Sequence, residues 1–274
     1  MKIIVLKKKL LLTICLLFFL ILCIYLSFYH PFSMAVDLSV DRALDENLKE
    51  KIGSLTQNDK KIAYLTFDDG PTLRATPKVL DILKEEDIKA TFFVIGKYVA
   101  KHPELVKRAY DEGHYIANHG YDHSNKKLYE SSESFINEIK DTDLEIGKAI
   151  GIDNYCSHIF RFPNGYMSPN NKSQKKKCAK LLQDMNYTYV DWNCLNNDSV
   201  KKYSKAQLLN NLKKSSKNKG TLVILMHDTS DVSDTPSVLK DSIDYLKKEG
   251  YTFQNFYEFL KDSPIYSELS FINS

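Results

Sequence analysis

Three things are missing from this sequence, and each absence narrows what it can be. There is no internal repeat, which sets aside solenoids and propellers built from stacked units. There is no large excess of one charge: 38 lysines and arginines face 35 aspartates and glutamates, a formal balance of +3. The Lys7-Lys8-Lys9 cluster carries about that much by itself, so no basic face for nucleic acid is expected. There is also no close cysteine pair. Of the 5 cysteines, Cys15 and Cys23 fall in an apolar run and Cys156, Cys178 and Cys194 remain. That odd set has no C-x-x-C spacing, so a disulfide framework is not indicated.

What is present suits one sizeable domain behind a leader, with 274 residues of which 43% are hydrophobic. The leader is Leu10 to Phe28, nineteen residues nearly free of polar groups. As a helix it is long enough to cross a hydrocarbon core of roughly 30 Å. Lysines precede it and Asp37, Asp41, Asp45 and Glu46 follow it, a bias that keeps the N-terminus inside and places the rest outside. A buried core helix is a poor alternative at this length with that flank. The expected organisation is a basic cytoplasmic segment (1–9), a transmembrane anchor (10–28), a polar stalk (29–60) and a domain over 61–265. Ser33-Met34-Ala35 offers a small-residue cleavage site, and a chain cut after Ala35 would be secreted. The length of the apolar stretch favours the uncleaved anchor, with the domain outside the cell membrane.

From Ile62 onward, short apolar runs alternate with helical patterns. The runs are Ile62 to Phe67, Ala90 to Ile95, Tyr115 to Ala117, Ile159 to Phe162, Tyr187 to Val190, Thr221 to Met226 and Tyr251 to Phe253. Thr76-Pro77, His102-Pro103 and Thr235-Pro236 read as helix starts, with Thr76 as a cap residue, and Gly113 and Gly250 read as stops. Strands alternating with helices imply a parallel sheet. Seven such units predict an α/β fold, an irregular closed (β/α)7 barrel, with its chemistry at the C-terminal ends of the strands.

Acids and imidazoles collect at those ends. Asp68 and Asp69 close the first run, His119 and His123 follow the third, and His227 with Asp228 closes the sixth. Two histidines four residues apart share one side of a helical turn, and a divalent metal accepts two imidazoles and a carboxylate while keeping a position open. Asp69 is the expected carboxylate. Adjacent residues leaving a strand project to different sides, so one carboxylate can bind the metal while its neighbour handles protons. A base beside a metal-bound water suits hydrolysis. Taken singly, each feature has a plainer account. Asp-Asp-Gly-Pro is also a polar turn, H-x-x-x-H also two surface histidines, and His227 also a core histidine satisfied by its neighbours.

Together these residues resemble the NodB-type polysaccharide deacetylases, carbohydrate esterase family 4. Thr66-Phe67-Asp68-Asp69-Gly70-Pro71 is similar to the first motif of that family and Asn118-His119-Gly120-Tyr121-Asp122-His123 to the second. Phe160-Arg161-Phe162-Pro163-Asn164-Gly165, Asp191-Trp192-Asn193 and Leu225-Met226-His227-Asp228 are similar to the third, fourth and fifth, in order. The resemblance implies an irregular barrel of the NodB type, with Asp68 as general base and Asp69, His119 and His123 binding a divalent metal, commonly zinc, with cobalt or manganese as alternatives. It implies His227 as general acid, Arg161 paired with Asp68, and Asp191 orienting and charging His227. It also implies that the Asn164 N–H holds the oxyanion and that Trp192 and Leu225 line the sugar pocket. Core packing accounts for Leu225 equally well. Gly120 stands where many relatives carry Ser or Thr, and Asn164 where they often carry an aromatic, which puts metal support and substrate preference in question.

The expected activity is metal-dependent removal of acetyl groups from an extracellular glycan by a membrane-tethered, monomeric enzyme, with N-acetylglucosamine of peptidoglycan first in line. Muramic acid residues, an exopolysaccharide or chitin-like oligomers are the alternatives within the class. A wall-binding pseudoenzyme is the alternative outside it, as is a domain serving chiefly as an assembly partner of the membrane span.

Overall fold

The computed structural model describes residues 52–229 and 234–257. The expected anchor at 10–28 and the last residues of the expected domain lie outside them. Among the described residues no helix is long and apolar enough to cross a membrane.

Strand and helix alternate as the apolar pattern implies. In chain order the elements are β1 (Ile62–Asp68), α1 (Thr76–Glu85), β2 (Thr91–Val94), α2 (Gly96–Lys101), α3 (Pro103–Asp111), β3 (Tyr115–Asn118), α4 (Asn125–Leu128) and α5 (Ser132–Ile150). There follow β4 (Ile159–Phe160), α6 (Lys172–Asp184), β5 (Thr188–Tyr189), β6 (Cys194–Leu195), α7 (Lys205–Ser216), β7 (Leu222–His227), α8 (Thr235–Lys248) and β8 (Thr252–Phe253). Every ladder is parallel, in the order β5-β4-β3-β2-β1-β7-β6, with β8 added at the start of β1.

The expected closed seven-stranded barrel needs correcting. The described sheet has eight strands, and no ladder joins β5 to β6, so the sheet is an open half-barrel. The reason is chain length. A parallel pairing between consecutive strands needs a crossover of about a dozen residues or more, and only residues 190–193 separate β5 from β6. Those residues, Asp191 and Trp192 among them, bridge the gap instead.

The two-residue period sorts the strands' side chains onto two faces. Ala63, Leu65 and Phe67 of β1 and Leu222, Ile224 and Met226 of β7 pack with Val79, Leu80 and Leu83 of α1 and Leu239, Ile243 and Leu246 of α8. The other face turns inward: Tyr64, Phe93, Tyr115, Ala117, Ile159 and Val223 form the inner core with Phe256. Ile52 and Leu55 belong to this inner core and are 3% and 7% exposed. This end of the stretch expected to be a stalk therefore packs with the domain. Thr66, Asp68, Leu225 and His227 share the inward parity, and Asp68 lies beside His227 in the β1–β7 register.

Gly113 and Gly250 follow α3 and α8 with φ of 84° and 86°, as the stop signals predict. Both Thr-Pro pairs start helices as expected, but the cap expected at Thr76 needs correcting. Neither Thr76 nor Thr235 occupies the N-cap position, which falls on Ala75 and Asp234. Their hydroxyls donate instead to the carboxylates of Asp228 and Asp198. A signal that looks like helix punctuation thus supplies donors to the strand-end chemistry.

Candidate active site

The sharp turn after β1 turns two adjacent carboxylates in different directions, with Asp69 at φ 73°. Asp69 Oδ1 lies 3.4 Å from His119 Nε2 and 3.3 Å from His123 Nε2. One ligand atom from each of the three lies within 4.8 Å of the others. Asp69 Oδ1 is buried, and no donor reaches it among the described residues. The Nδ1–H of His119 donates to the Arg161 carbonyl at 2.7 Å, which fixes the tautomer and aims Nε2 inward. A buried acceptor without a donor, faced by two imidazole nitrogens, fits a divalent cation.

The charge balance agrees. Burial alone would raise the Asp69 carboxyl, yet His119 and His123 hold it below the ordinary carboxylate range. Burial together with the charge of His119 pushes His123 down to about 4, so it stands neutral with a lone pair available. His119 goes the other way. Burial disfavours its imidazolium, but Asp68 and Asp69 outweigh that and raise it. A cation held there would compete with protons for the His119 Nε2 lone pair.

The turn carrying the two histidines is held from behind. Asn118 Oδ1 accepts the Gly120 N–H at 2.9 Å, and Glu138 Oε2 accepts those of Tyr121 and Asp122 at 2.7 and 2.9 Å. A side chain starting from the Gly120 Cα would begin 3.5 Å from Glu138 Oε2. With no hydroxyl available at Gly120, Glu138 and Asn118 hold this turn through its backbone N–H groups.

Asp68 is 3% exposed and Arg161 is fully buried. The guanidinium donates to Asp68 Oδ1 at 2.8 Å, Thr66 Oγ1 at 2.7 Å, the Val190 carbonyl at 3.1 Å and the Asp191 carbonyl at 3.3 Å. It also lies 4.0 Å from the centre of the Phe93 ring. So constrained, Arg161 fixes one carboxylate oxygen of Asp68 and leaves Oδ2 facing His119 Nε2 at 3.8 Å. The expected pairing of Arg161 with Asp68 is present.

His227 ends β7, and its partner differs from the sequence expectation. Its Nδ1–H donates to Asp198 Oδ1 at 2.7 Å, and its backbone N–H donates to Asp198 Oδ2 at 2.8 Å. Asp191, expected in that role, accepts the N–H groups of Tyr166 and Met167 at 2.9 and 3.0 Å. The orienting carboxylate is therefore Asp198. Reasoning from sequence missed it because β6 is only two residues long, so Asn196-Asn197-Asp198 does not look like the end of a strand. Burial works against the His227 imidazolium, but the Asp198 hydrogen bond and the charges of Asp198 and Asp68 raise it to about 9. At neutral pH its Nε2–H is a donor facing the site.

Asp228 is buried with its carboxylate against Gly70. Its Oδ2 accepts from Thr76 at 2.5 Å, and burial pushes its carboxyl up to about 7. A Cβ on Gly70 would lie 2.2 Å from that oxygen, so any larger residue there must displace the Asp228 carboxylate. Of the expected pocket residues, Leu225 is 6% exposed on the inward face of β7. Trp192 is half-buried, with its ring against Gly165, where a Cβ would meet it at 2.8 Å. Asn164 is exposed at φ 63°, and its N–H has no partner among the described residues.

These positions combine a cation-sized pocket, an oriented carboxylate and a protonated imidazole at adjacent strand ends. A family model described as polysaccharide deacetylase matches residues 56–190. The chain is 36% identical over 207 residues to a peptidoglycan-N-acetylglucosamine deacetylase of Bacillus cereus, covering 73% of this chain and 71% of that protein. It is 32% identical over 201 residues to the peptidoglycan-N-acetylmuramic acid deacetylase PdaA of Bacillus subtilis, covering 73% and 72%. Its fold matches that of a Streptococcus mutans CE4 esterase with a TM-score of 0.67 at 29% identity, over 76% of this chain and 90% of that one. Deacetylases of this kind are metal-dependent, and the Asp-His-His cluster has the composition that requires. The chain belongs to the polysaccharide deacetylases of carbohydrate esterase family 4, hydrolases that act on amide bonds.

Proposed function

We propose that this enzyme removes acetyl groups from N-acetylglucosamine residues of peptidoglycan outside the cell membrane, using a zinc ion held by Asp69, His119 and His123. The observation that carries the reading is the joint placement of an oriented base and an oriented acid around the Asp-His-His pocket. Asp68 and His227 are side-by-side partners on β1 and β7, and Asp68 Oδ2 is 3.8 Å from a histidine of the cluster. When bound, such an ion would polarise the acetyl carbonyl and acidify the attacking water.

The chain's own residues would divide the remaining work. Asp68, anchored by Arg161, takes a proton from the water whose oxygen bonds to the carbonyl carbon. The Asn164 N–H donates to the carbonyl oxygen as it gains charge. His227, kept protonated by Asp198, gives its Nε2 proton to the nitrogen as the C–N bond breaks. Acetate leaves and a free amine stays on the sugar. Trp192 and Leu225 face the sugar and the acetyl methyl. Zinc is preferred because two imidazoles and one carboxylate are ligands it favours, with cobalt and manganese as substitutes.

Glucosamine rather than muramic acid is favoured by the higher identity to the glucosamine-directed relative, 36% against 32%. The membrane location rests on the Leu10 to Phe28 run and its lysine flank. Acetate release from defined peptidoglycan fragments, muramic acid substrates and chitin oligomers tests the substrate. Fragments bearing N-acetylglucosamine should react fastest, chelation should stop the reaction, and zinc should restore it. A faster reaction on muramic acid, or no recovery with zinc, cobalt or manganese, contradicts the proposal.

A further inference from the structure

The third motif ends in a turn held largely by groups outside it. Asn164 and Gly165 follow one another at φ 63° and 80°, a left-handed pair of the residue types that adopt this region most readily. Within the turn, the Gly165 N–H bonds the Phe162 carbonyl at 2.7 Å. Outside groups provide the other restraints. The two oxygens of Asp191 take the next two backbone donors, one each: Oδ1 the Tyr166 N–H at 2.9 Å and Oδ2 the Met167 N–H at 3.0 Å. Lys175 of α6 takes the carbonyls: its ammonium donates to Gly165 at 2.5 Å and to Ser168 at 3.4 Å.

Lys175 is 1% exposed, whereas the other residues α6 buries are Cys178 and Leu182. A buried ammonium costs free energy that an apolar side chain would not, so its use here lies in its donors. Asp191 is also tied to the base. Its own carbonyl accepts from Arg161 at 3.3 Å, and the same guanidinium holds Asp68 at 2.8 Å. Asp68, Arg161, Asp191 and the turn form one continuous set of contacts. The Tyr166 ring packs on Tyr189 at 4.4 Å and the Trp192 ring lies against Gly165, so the turn is fixed on its apolar side as well.

We infer that Asp191 and Lys175 are positioning residues, an anion and a cation that hold the 164–168 turn at a set distance from Asp68 so that the Asn164 N–H meets the carbonyl oxygen of the amide being cleaved. The inference rests on the deacetylase reading above. It gives Asp191 a different task from the one its motif implies: it acts on the turn, and Asp198 acts on His227. An oxyanion donor contributes mainly in the transition state, so misplacing it lowers kcat and leaves KM nearly alone.

The test compares D191N, K175M, K175R and D198N with the unaltered protein, loaded with zinc, on a peptidoglycan fragment bearing N-acetylglucosamine. D191N and K175M should lower kcat about ten- to a hundredfold, with KM within about threefold. The basic limb of the kcat profile should stay in place for both and move to lower pH in D198N. K175R, which keeps a cationic donor, should recover part of what K175M loses. Unchanged kcat in both D191N and K175M overturns the inference, as does a shift of the basic limb in D191N, which would put Asp191 on His227. Should K175M fail to fold by circular dichroism, D191N decides alone. Absence of acetate release from the unaltered protein on every acetylated glycan would instead refute the deacetylase reading, and this inference with it.

Discussion

One oxygen atom, Oδ1 of Asp69, concentrates the chemistry at the scale of single residues: it is buried, has no donor among the described residues and faces two imidazoles. Across the site, Asp198 sets the charge of His227. His227 loses its proton as pH rises through about 9, so turnover should fall on the alkaline side. D198N removes the charge that favours the imidazolium. Its pH profile should show the basic limb at lower pH and turnover at neutral pH down by roughly ten- to a hundredfold. An unmoved limb would mean that His227 does not depend on Asp198. The residues legible in the sequence were those closing long apolar runs: Asp68 and Asp69 after Ile62 to Phe67, and His227 after Leu222 to Met226. Asp198 and Lys175 were not legible. A two-residue strand gives no periodic signal before Asp198, and a lysine among the lysines of α6 reads as solvated until packing shows it buried.

At the scale of elements, the alternation of apolar runs and capped helices was sufficient to place β1, β2, β3 and β7 and to predict a parallel sheet. It did not reveal the opening between β5 and β6, because closure depends on the length of a connection rather than on periodicity. The opening has a consequence. Residues 190–193 are freed from pairing across it and carry Asp191 and Trp192 to the turn after β4. The β1–α1 connection is equally specific. Gly70 has Asp228 2.2 Å from where a Cβ would stand, and Asp228 is held by Thr76 at the start of α1. Gly70→Ala should therefore push Asp228 and the Asp69 turn apart, costing about 1–3 kcal/mol and weakening zinc affinity. Thermal melts and zinc titration check both, and a variant indistinguishable from the parent would show that the turn relaxes freely.

At the scale of the molecule, the domain reaches further toward the N-terminus than the polar composition of the preceding stretch suggests. Ile52 and Leu55 are isolated apolar residues, invisible to a periodicity argument, yet they enter the inner core beside Tyr64, Phe93 and Phe256. Leu55→Ala in the full chain should cost about 2–5 kcal/mol, measured by denaturant unfolding; a loss below about 0.5 kcal/mol is what a solvated stalk would give. That core underlies the strand ends on which base, acid and metal ligands meet, so the whole account stands or falls with their joint action. The most direct test measures bound zinc and acetate release on the same preparations of the unaltered protein, Asp69→Ala and Asp68→Asn. The account predicts one zinc and turnover for the first, neither for the second, and full zinc with turnover lowered about a hundredfold or more for the third. Zinc retained by Asp69→Ala, or parental turnover in Asp68→Asn, would contradict it.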